Sequence, residues 1–218
     1  MLPDMRRPAR GQFGFHLTRC LQMTSLCGTL PVVCDCSGYT SGTEAFMSRE
    51  LLVFRHGKSD WDSDASRDFD RPLAKRGRKA IRRMAAWVCE QQCLPARIVS
   101  SPAKRARQST RRFCRHTGLA ESIVVWDEAI YAADVPTLLE VLGKYGSDGG
   151  RLMIVGHNPG FEELIEYLSG APIPAPVGES ALPTAALAHM DLPDDWRTLS
   201  PGCGRLLSLT RPRELPDP

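Results

Sequence analysis

The chain carries several short apolar runs that end abruptly at glycine or polar residues. Leu51-Leu52-Val53-Phe54 stops at Arg55-His56-Gly57, Arg97-Ile98-Val99-Ser100 runs into Ser101-Pro102-Ala103-Lys104-Arg105, and Leu152-Met153-Ile154-Val155 runs into Gly156-His157-Asn158-Pro159-Gly160. Runs of this length bounded by turn residues predict buried strands. Ile123-Val124-Val125-Trp126 predicts another, ending at Asp127-Glu128. Between the runs the period changes. Ile81, Met84, Ala85 and Val88 stand at i, i+3, i+4 and i+7, the apolar face of a helix from Lys75 to Gln91 that Leu94-Pro95 ends. Ser101 reads as an N-cap with Pro102 in the first helical position. Asp134 caps a helix bearing Leu138, Leu139, Leu142 and Tyr145, and a last helix runs from Phe161 to Ser169 with Gly170 as its stop. Strand, helix, strand in this order predicts a βαβ unit with parallel strands and a right-handed crossover. The runs 185–190 and 205–209 predict an antiparallel pair at a sheet edge.

Residues 1–46 follow neither period. Arg6, Arg7 and Arg10 precede a weakly apolar stretch broken by His16, Arg19 and Gln22, and Gly38 to Thr43 reads as a linker. This segment is expected to be a disordered leader, or an upstream extension of a protein that naturally starts at Met47, leaving one domain over 47–218. An apolar share of 42% and a charged share of 24% are ordinary for a soluble globular protein, and a net charge of +3 makes no case for nucleic acid. The basic stretch from Lys75 to Arg83 reads as a solvated helix face. No apolar run is long enough for a membrane helix, so a soluble protein without a membrane partner is expected. A cytoplasmic location and a monomeric state are further expectations. Cys20, Cys27, Cys34 and Cys36 lack the paired spacing of a zinc site. Cys89, Cys93, Cys114 and Cys203 fall within apolar patterns as free thiols, which fits a reducing compartment.

The strand ends deliver two arginines and two histidines, Arg55 and His56, Arg105, and His157. In open α/β sheets ligands bind beyond the carboxyl ends of the strands. Arg105 falls in the opening turn of a helix, where free N–H groups and the dipole favour an anion; its alternative is a solvated surface arginine like Arg111 and Arg112. Phosphoryl transfer needs groups that position and neutralise the charge on three equatorial oxygens, which arginine forks do without losing charge. A neutral imidazole can attack phosphorus, and a second histidine, if protonated, adds a donor. Such a site needs neither a metal nor a cofactor, and none is expected.

The motifs Leu52-Val53-Phe54-Arg55-His56-Gly57, Ser100-Ser101-Pro102 through Arg105-Ala106 and Gln108-Ser109, and Val155-Gly156-His157-Asn158-Pro159 come in order and at suitable spacing. With Arg71-Pro72-Leu73 and the Pro183-Thr184-Ala185 strand, the stretch from Glu50 to Leu215 resembles the histidine phosphatase superfamily, and within it the short SixA-type branch of phosphohistidine phosphatases. The resemblance implies a phosphoglycerate-mutase-like three-layer α/β/α sandwich with a mainly parallel mixed sheet. It implies a phosphohistidine enzyme intermediate on His56, with Arg55, Arg105 and His157 as the phosphate pocket. Glu128 matches one position of the family's proton donor and Asp68 an acidic position in the SixA-type loop; each has a structural alternative as a helix cap or surface carboxylate. Long insertions between the motifs are absent, so an open pocket acting on protein phosphohistidine is expected. The alternatives are a broad phosphomonoesterase taking small phosphorylated substrates, and a non-catalytic phosphohistidine-binding scaffold.

Overall fold

Alternation along the first strand, β1 (Arg49–Arg55), decides the layering. Leu51 and Val53 belong to one apolar cluster and Leu52 and Phe54 to another, and all four are fully buried, so both faces of the sheet must be covered. The computed structural model describes residues 49–146, 150–175 and 177–217. Residues 1–46, Met47 and the cysteines at 20, 27, 34 and 36 lie outside these described residues. The remaining strands are β2 (Arg97–Ser100), β3 (Val124–Trp126), β4 (Leu152–Gly156), β5 (Leu187–Leu192) and β6 (Arg205–Thr210), and the helices are α1 (Lys75–Glu90), α2 (Lys104–Thr117), α3 (Val135–Tyr145) and α4 (Gly160–Ser169).

The sheet order is β3-β2-β4-β1-β5-β6, with the first four strands parallel and β5 and β6 antiparallel. The first two strands of the chain are parallel, as the pattern predicts, but β4 lies between them. Helices α1 and α2 cover the face of Leu52 and Phe54, while α3 and α4 cover that of Leu51 and Val53. Right-handed crossovers explain this division: the chain moves toward β3 through α1 and α2, then reverses to reach β4, which places α3 on the opposite face. The result is a three-layer α/β/α sandwich on a mixed sheet. Among the described residues no helix is long and apolar enough to cross a membrane.

The predicted helix over 75–91 is α1, and Ile81, Met84, Ala85 and Val88 are its buried face. Asp134 caps α3 by accepting from the Thr137 N–H, and Gly170 stops α4 in the left-handed conformation. One local reading fails. Helix α2 starts at Lys104 with Ala103 in the cap position, so Ser101 is not its N-cap and Pro102 lies outside it. The Ser101 hydroxyl still accepts from the Ala103 N–H at 3.3 Å, but its other bond, to His157, draws it into the site.

Candidate active site

Strand register assembles the cluster. Arg55 stands opposite Gly156 and Ser100 opposite Val155, so His56, His157 and Ser101 leave three neighbouring parallel strands at one level. The glycines there are needed for space. Gly57 has no positive φ, yet a Cβ on it would meet the Leu73 side chain at 2.8 Å and the Gly77 carbonyl at 3.1 Å. The loop after β1 is thereby pressed onto α1, while the Gly57 N–H donates to Ser109 of α2 at 3.0 Å.

His56 is buried and its tautomer follows from its partners. Nδ1 lies 2.7 Å from the Gly57 carbonyl, which can only accept, so Nδ1 carries the proton. Nε2 accepts from Nε of Arg105 at 3.1 Å. Burial first, and then the neighbouring His157, push the His56 imidazole well below its ordinary 6.5, against the bond to Gly57. The imidazole is therefore neutral, with the lone pair of Nε2 turned toward the arginine.

Arg105 binds the cluster together. Besides His56 it donates to the Asp68 backbone carbonyl at 2.6 Å, to the Asp68 carboxylate at 2.8 Å and to Nδ1 of His157 at 3.2 Å. His157 must then carry its proton on Nε2, 2.9 Å from the Ser101 hydroxyl. Its ring lies 4.8 Å from that of His56. Burial and then Arg105 push His157 down from 6.5 to about 3, with Asp68 opposing. In the resting site His157 is thus neutral and receives a bond from Arg105, where the sequence reading had considered a protonated donor.

Asp68 sits in a short 3-10 turn, Asp68–Asp70, and accepts from Arg71 at 2.8 Å, Arg105 at 2.8 Å and the Tyr131 hydroxyl at 3.2 Å. Burial would raise its pKa, but Arg105, Arg71 and Tyr131 outweigh that and hold it below the ordinary value as a carboxylate. Glu128 opens the 3-10 turn after β3 and is exposed, three residues before Tyr131. Arg55 donates through Nη1 to the Ser180 hydroxyl at 3.1 Å and the Leu182 carbonyl at 2.6 Å, while its buried Nε has no partner. A cavity of about 300 Å³ opens beside Arg105 and His157, walled also by Asp68, Tyr131, Asp134 and Glu163.

Sequence reasoning missed three contributors. Tyr131 meets the ring of His157 edge-on at 5.3 Å and bonds Asp68, although it follows no motif. The segment Ser180–Leu182 holds both Arg55 and Asn158, and Glu162 fixes it by accepting from the Ser180 hydroxyl and the Leu182 N–H at 2.7 Å each. Ser101, which the sequence offers as a cap and as part of a motif but with no role at the site, accepts from Nε2 of His157.

Both buried histidines gain protons on unfolding, so the stability they contribute is present above about pH 6.5 and lost as pH falls toward the native value of His157, about 3. His157→Gln keeps a donor for Ser101 and an acceptor for Arg105 without the titration. Its Tm should fall less than the wild type's between about pH 7 and about pH 4 in thermal melts, and parallel curves would refute the assignment.

Fold and site together define an α/β domain with an arginine–histidine cluster suited to a tetrahedral oxyanion. The sequence profile of the histidine phosphatase superfamily (branch 1) matches residues 51–129. An uncharacterised chloroplast protein of Arabidopsis thaliana is 33% identical over 167 residues, covering 73% of this chain and 76% of that protein. The chain belongs to the histidine phosphatase superfamily. Phosphohistidine phosphatase SixA of Escherichia coli is 27% identical over 139 residues, 63% of this chain and 85% of that one. The structure of the protein histidine phosphatase SixA complexed with tungstate superposes with a TM-score of 0.64 at 23% identity, covering 76% of this chain and 98% of that one, a likeness of fold.

Proposed function

We propose that the protein is a phosphatase that works through a phosphohistidine on Nε2 of His56, and that its substrate is phosphohistidine on another protein. The observation that carries the mechanism is the bond from Nδ1 of His56 to the Gly57 carbonyl, which leaves Nε2 as the free base on a neutral ring. The lone pair of Nε2 attacks phosphorus, the bond from phosphorus to the leaving nitrogen breaks, and the departing imidazole keeps that electron pair and holds a proton. Water then attacks the phosphoryl-histidine, releases inorganic phosphate and regenerates neutral His56. Arg105 supports both steps. Its Nε–H, given to His56 Nε2 in the resting site, passes to a phosphoryl oxygen when substrate enters, which frees the nucleophile and neutralises charge together. The unpartnered Nε–H of Arg55 suits a second oxygen, and His157 can take up a proton once the dianion offsets the charge of Arg105.

The state of Asp68 favours phosphohistidine over an alkyl ester. An alkoxide is a poor leaving group and needs a general acid worth about 10²–10⁴-fold, whereas an imidazole can depart already protonated. Asp68 is held as an ionised acceptor by three donors and cannot supply that proton at rest. This reading makes Asp68 a positioning residue for Arg105, while Glu128 is exposed and does not line the cavity beside His157, so its sequence-predicted donor role rests on mutation. The similarity to phosphohistidine phosphatase SixA supports the same substrate class.

The test compares kcat/KM on a phosphohistidine peptide and on an alkyl phosphate. Wild type is expected to favour the peptide. Asp68→Asn should lower both substrates about equally, by loosening Arg105, while Glu128→Gln should cost the ester about 10²-fold or more and the peptide far less. Higher wild-type efficiency on the ester, with equal large losses on both substrates in Glu128→Gln, would favour a small-molecule phosphomonoesterase.

A further inference from the structure

Helix α1 carries two basic stripes, and only one of them is neutralised. On the stripe facing the C-terminal segment, Lys79 and Arg83 both hold Asp217, at 2.7 and 2.6 Å, and pull its carboxyl down to about 2. The other stripe, Arg78 and Arg82, faces α2, where it meets Arg112, Arg115 and His116. Among the described residues no carboxylate pairs with Arg82, Arg112 or Arg115, and Arg78 donates to the Leu73 carbonyl at 2.9 Å. Glu121 lies at this flank but is engaged by Arg111 at 3.3 Å. A groove of about 220 Å³ runs between the helices, lined by Leu73, Arg78, Gln108, Arg111, Arg112 and Arg115.

Like charges gathered in this way repel, and the described residues supply little to offset them. Partial burial, then Arg115 and Arg78, push Arg112 below its ordinary value, and burial, then Arg112, Arg82 and Arg115, push His116 down as well. Such a groove is complementary to carboxylates, which guanidinium forks bind in pairs. The cavity beside Arg105 and His157, by contrast, has the carboxylates Asp68, Asp134 and Glu163 in its lining.

Position says what size of partner fits. Gln108, at the head of the groove, accepts the Leu73 N–H at 2.7 Å and sits one turn along α2 from Arg105. Arg115 lies about 15 Å further down the helix than Arg105 at 1.5 Å per residue. A small phosphorylated molecule held by Arg105 does not span that distance. A protein does, because a specific interface covers roughly 800 Å² per partner, on the order of 30 Å across. The groove lining offers no aromatic ring on which a base would stack, which separates it from single-stranded nucleic-acid channels.

We propose that the α1/α2 groove docks an acidic polypeptide segment of the protein whose phosphohistidine is delivered to His56. The proposal rests on the phosphatase reading above, and its test keeps the two apart. Fluorescence anisotropy with the full chain compares a labelled Asp/Glu-rich peptide, a Gly/Ser peptide of equal length and a single-stranded oligonucleotide. Wild type should bind the acidic peptide about tenfold or more tightly than the neutral one, with the preference fading as salt is raised. The double variant Arg112→Glu/Arg115→Glu should lose the preference, raise KM for an acidic phosphohistidine protein with kcat kept, and hydrolyse p-nitrophenyl phosphate as wild type does. Equal binding of the two peptides by wild type, tighter binding of the oligonucleotide, or a matching loss on p-nitrophenyl phosphate in a normally melting variant overturns the docking surface. Acidic preference with no phosphate released from any substrate would instead refute the phosphatase reading and leave the groove standing.

Discussion

His56→Ala is expected to lower turnover by roughly 10⁴–10⁶-fold on every substrate, the scale seen when a covalent nucleophile is removed. The expectation rests on the ring's two bonds. Nδ1 is committed to the Gly57 carbonyl, and burial beside His157 keeps the ring neutral, so Nε2 is the one nitrogen of that ring able to attack. His157 is not an equivalent substitute, because its Nδ1 accepts from Arg105 and its Nε2 carries the proton given to Ser101. Rapid quench of the wild type with labelled substrate should trap a phosphoenzyme that is acid-labile and alkali-stable, with the label on His56. A label found on another residue, or turnover of the variant within tenfold of wild type, would sink the assignment. The variant should still fold, since the backbone N–H of residue 56 reaches the Gly156 carbonyl regardless of side chain.

The sequence made the strand ends legible because they are local events: an apolar run, then a residue type the core rejects, then glycine. Arg55, His56 and His157 follow from that signal and Arg105 from its place in the opening turn of a helix, and the structure brings the four to one edge. What stayed hidden was set by long-range pairing. The order of β4 between β1 and β2 cannot be read from a βαβ pattern, because a crossover that skips a strand uses the same local signals. The grip on Arg55 and Asn158 comes from Ser180–Leu182, and Glu162 fixes that segment from α4, so no spacing rule links them. Ser101 shows competition between local and tertiary bonds: its hydroxyl suits a cap, but His157 lies in reach and α2 begins later. The basic run from Lys75 to Arg83 looked like one solvated face. Folding splits it into a stripe answered by Asp217 and a stripe that faces further arginines.

Arg105→Lys should cost about 10²–10³-fold in kcat/KM, the loss typical of one preorganised donor set aimed at developing charge. Charge alone cannot rescue this position. The guanidinium reaches His56, His157 and two oxygens of Asp68 at once through a fixed fork, whereas an ammonium is a point donor on a shorter, freely rotating stem. Removing the charge as well, in Arg105→Met, should add a second signature. Arg105 lowers the pKa of both histidines, second only to burial at His157, so its loss raises them. NMR titration of Arg105→Met should therefore find His157 taking up its proton clearly above the wild-type value of about 3. The Lys variant retains a cation and should move this titration less while still losing activity, which separates geometry from charge. A loss under tenfold in Arg105→Lys, or a His157 titration unmoved in Arg105→Met, would show that the arginine is not the element that couples the two histidines.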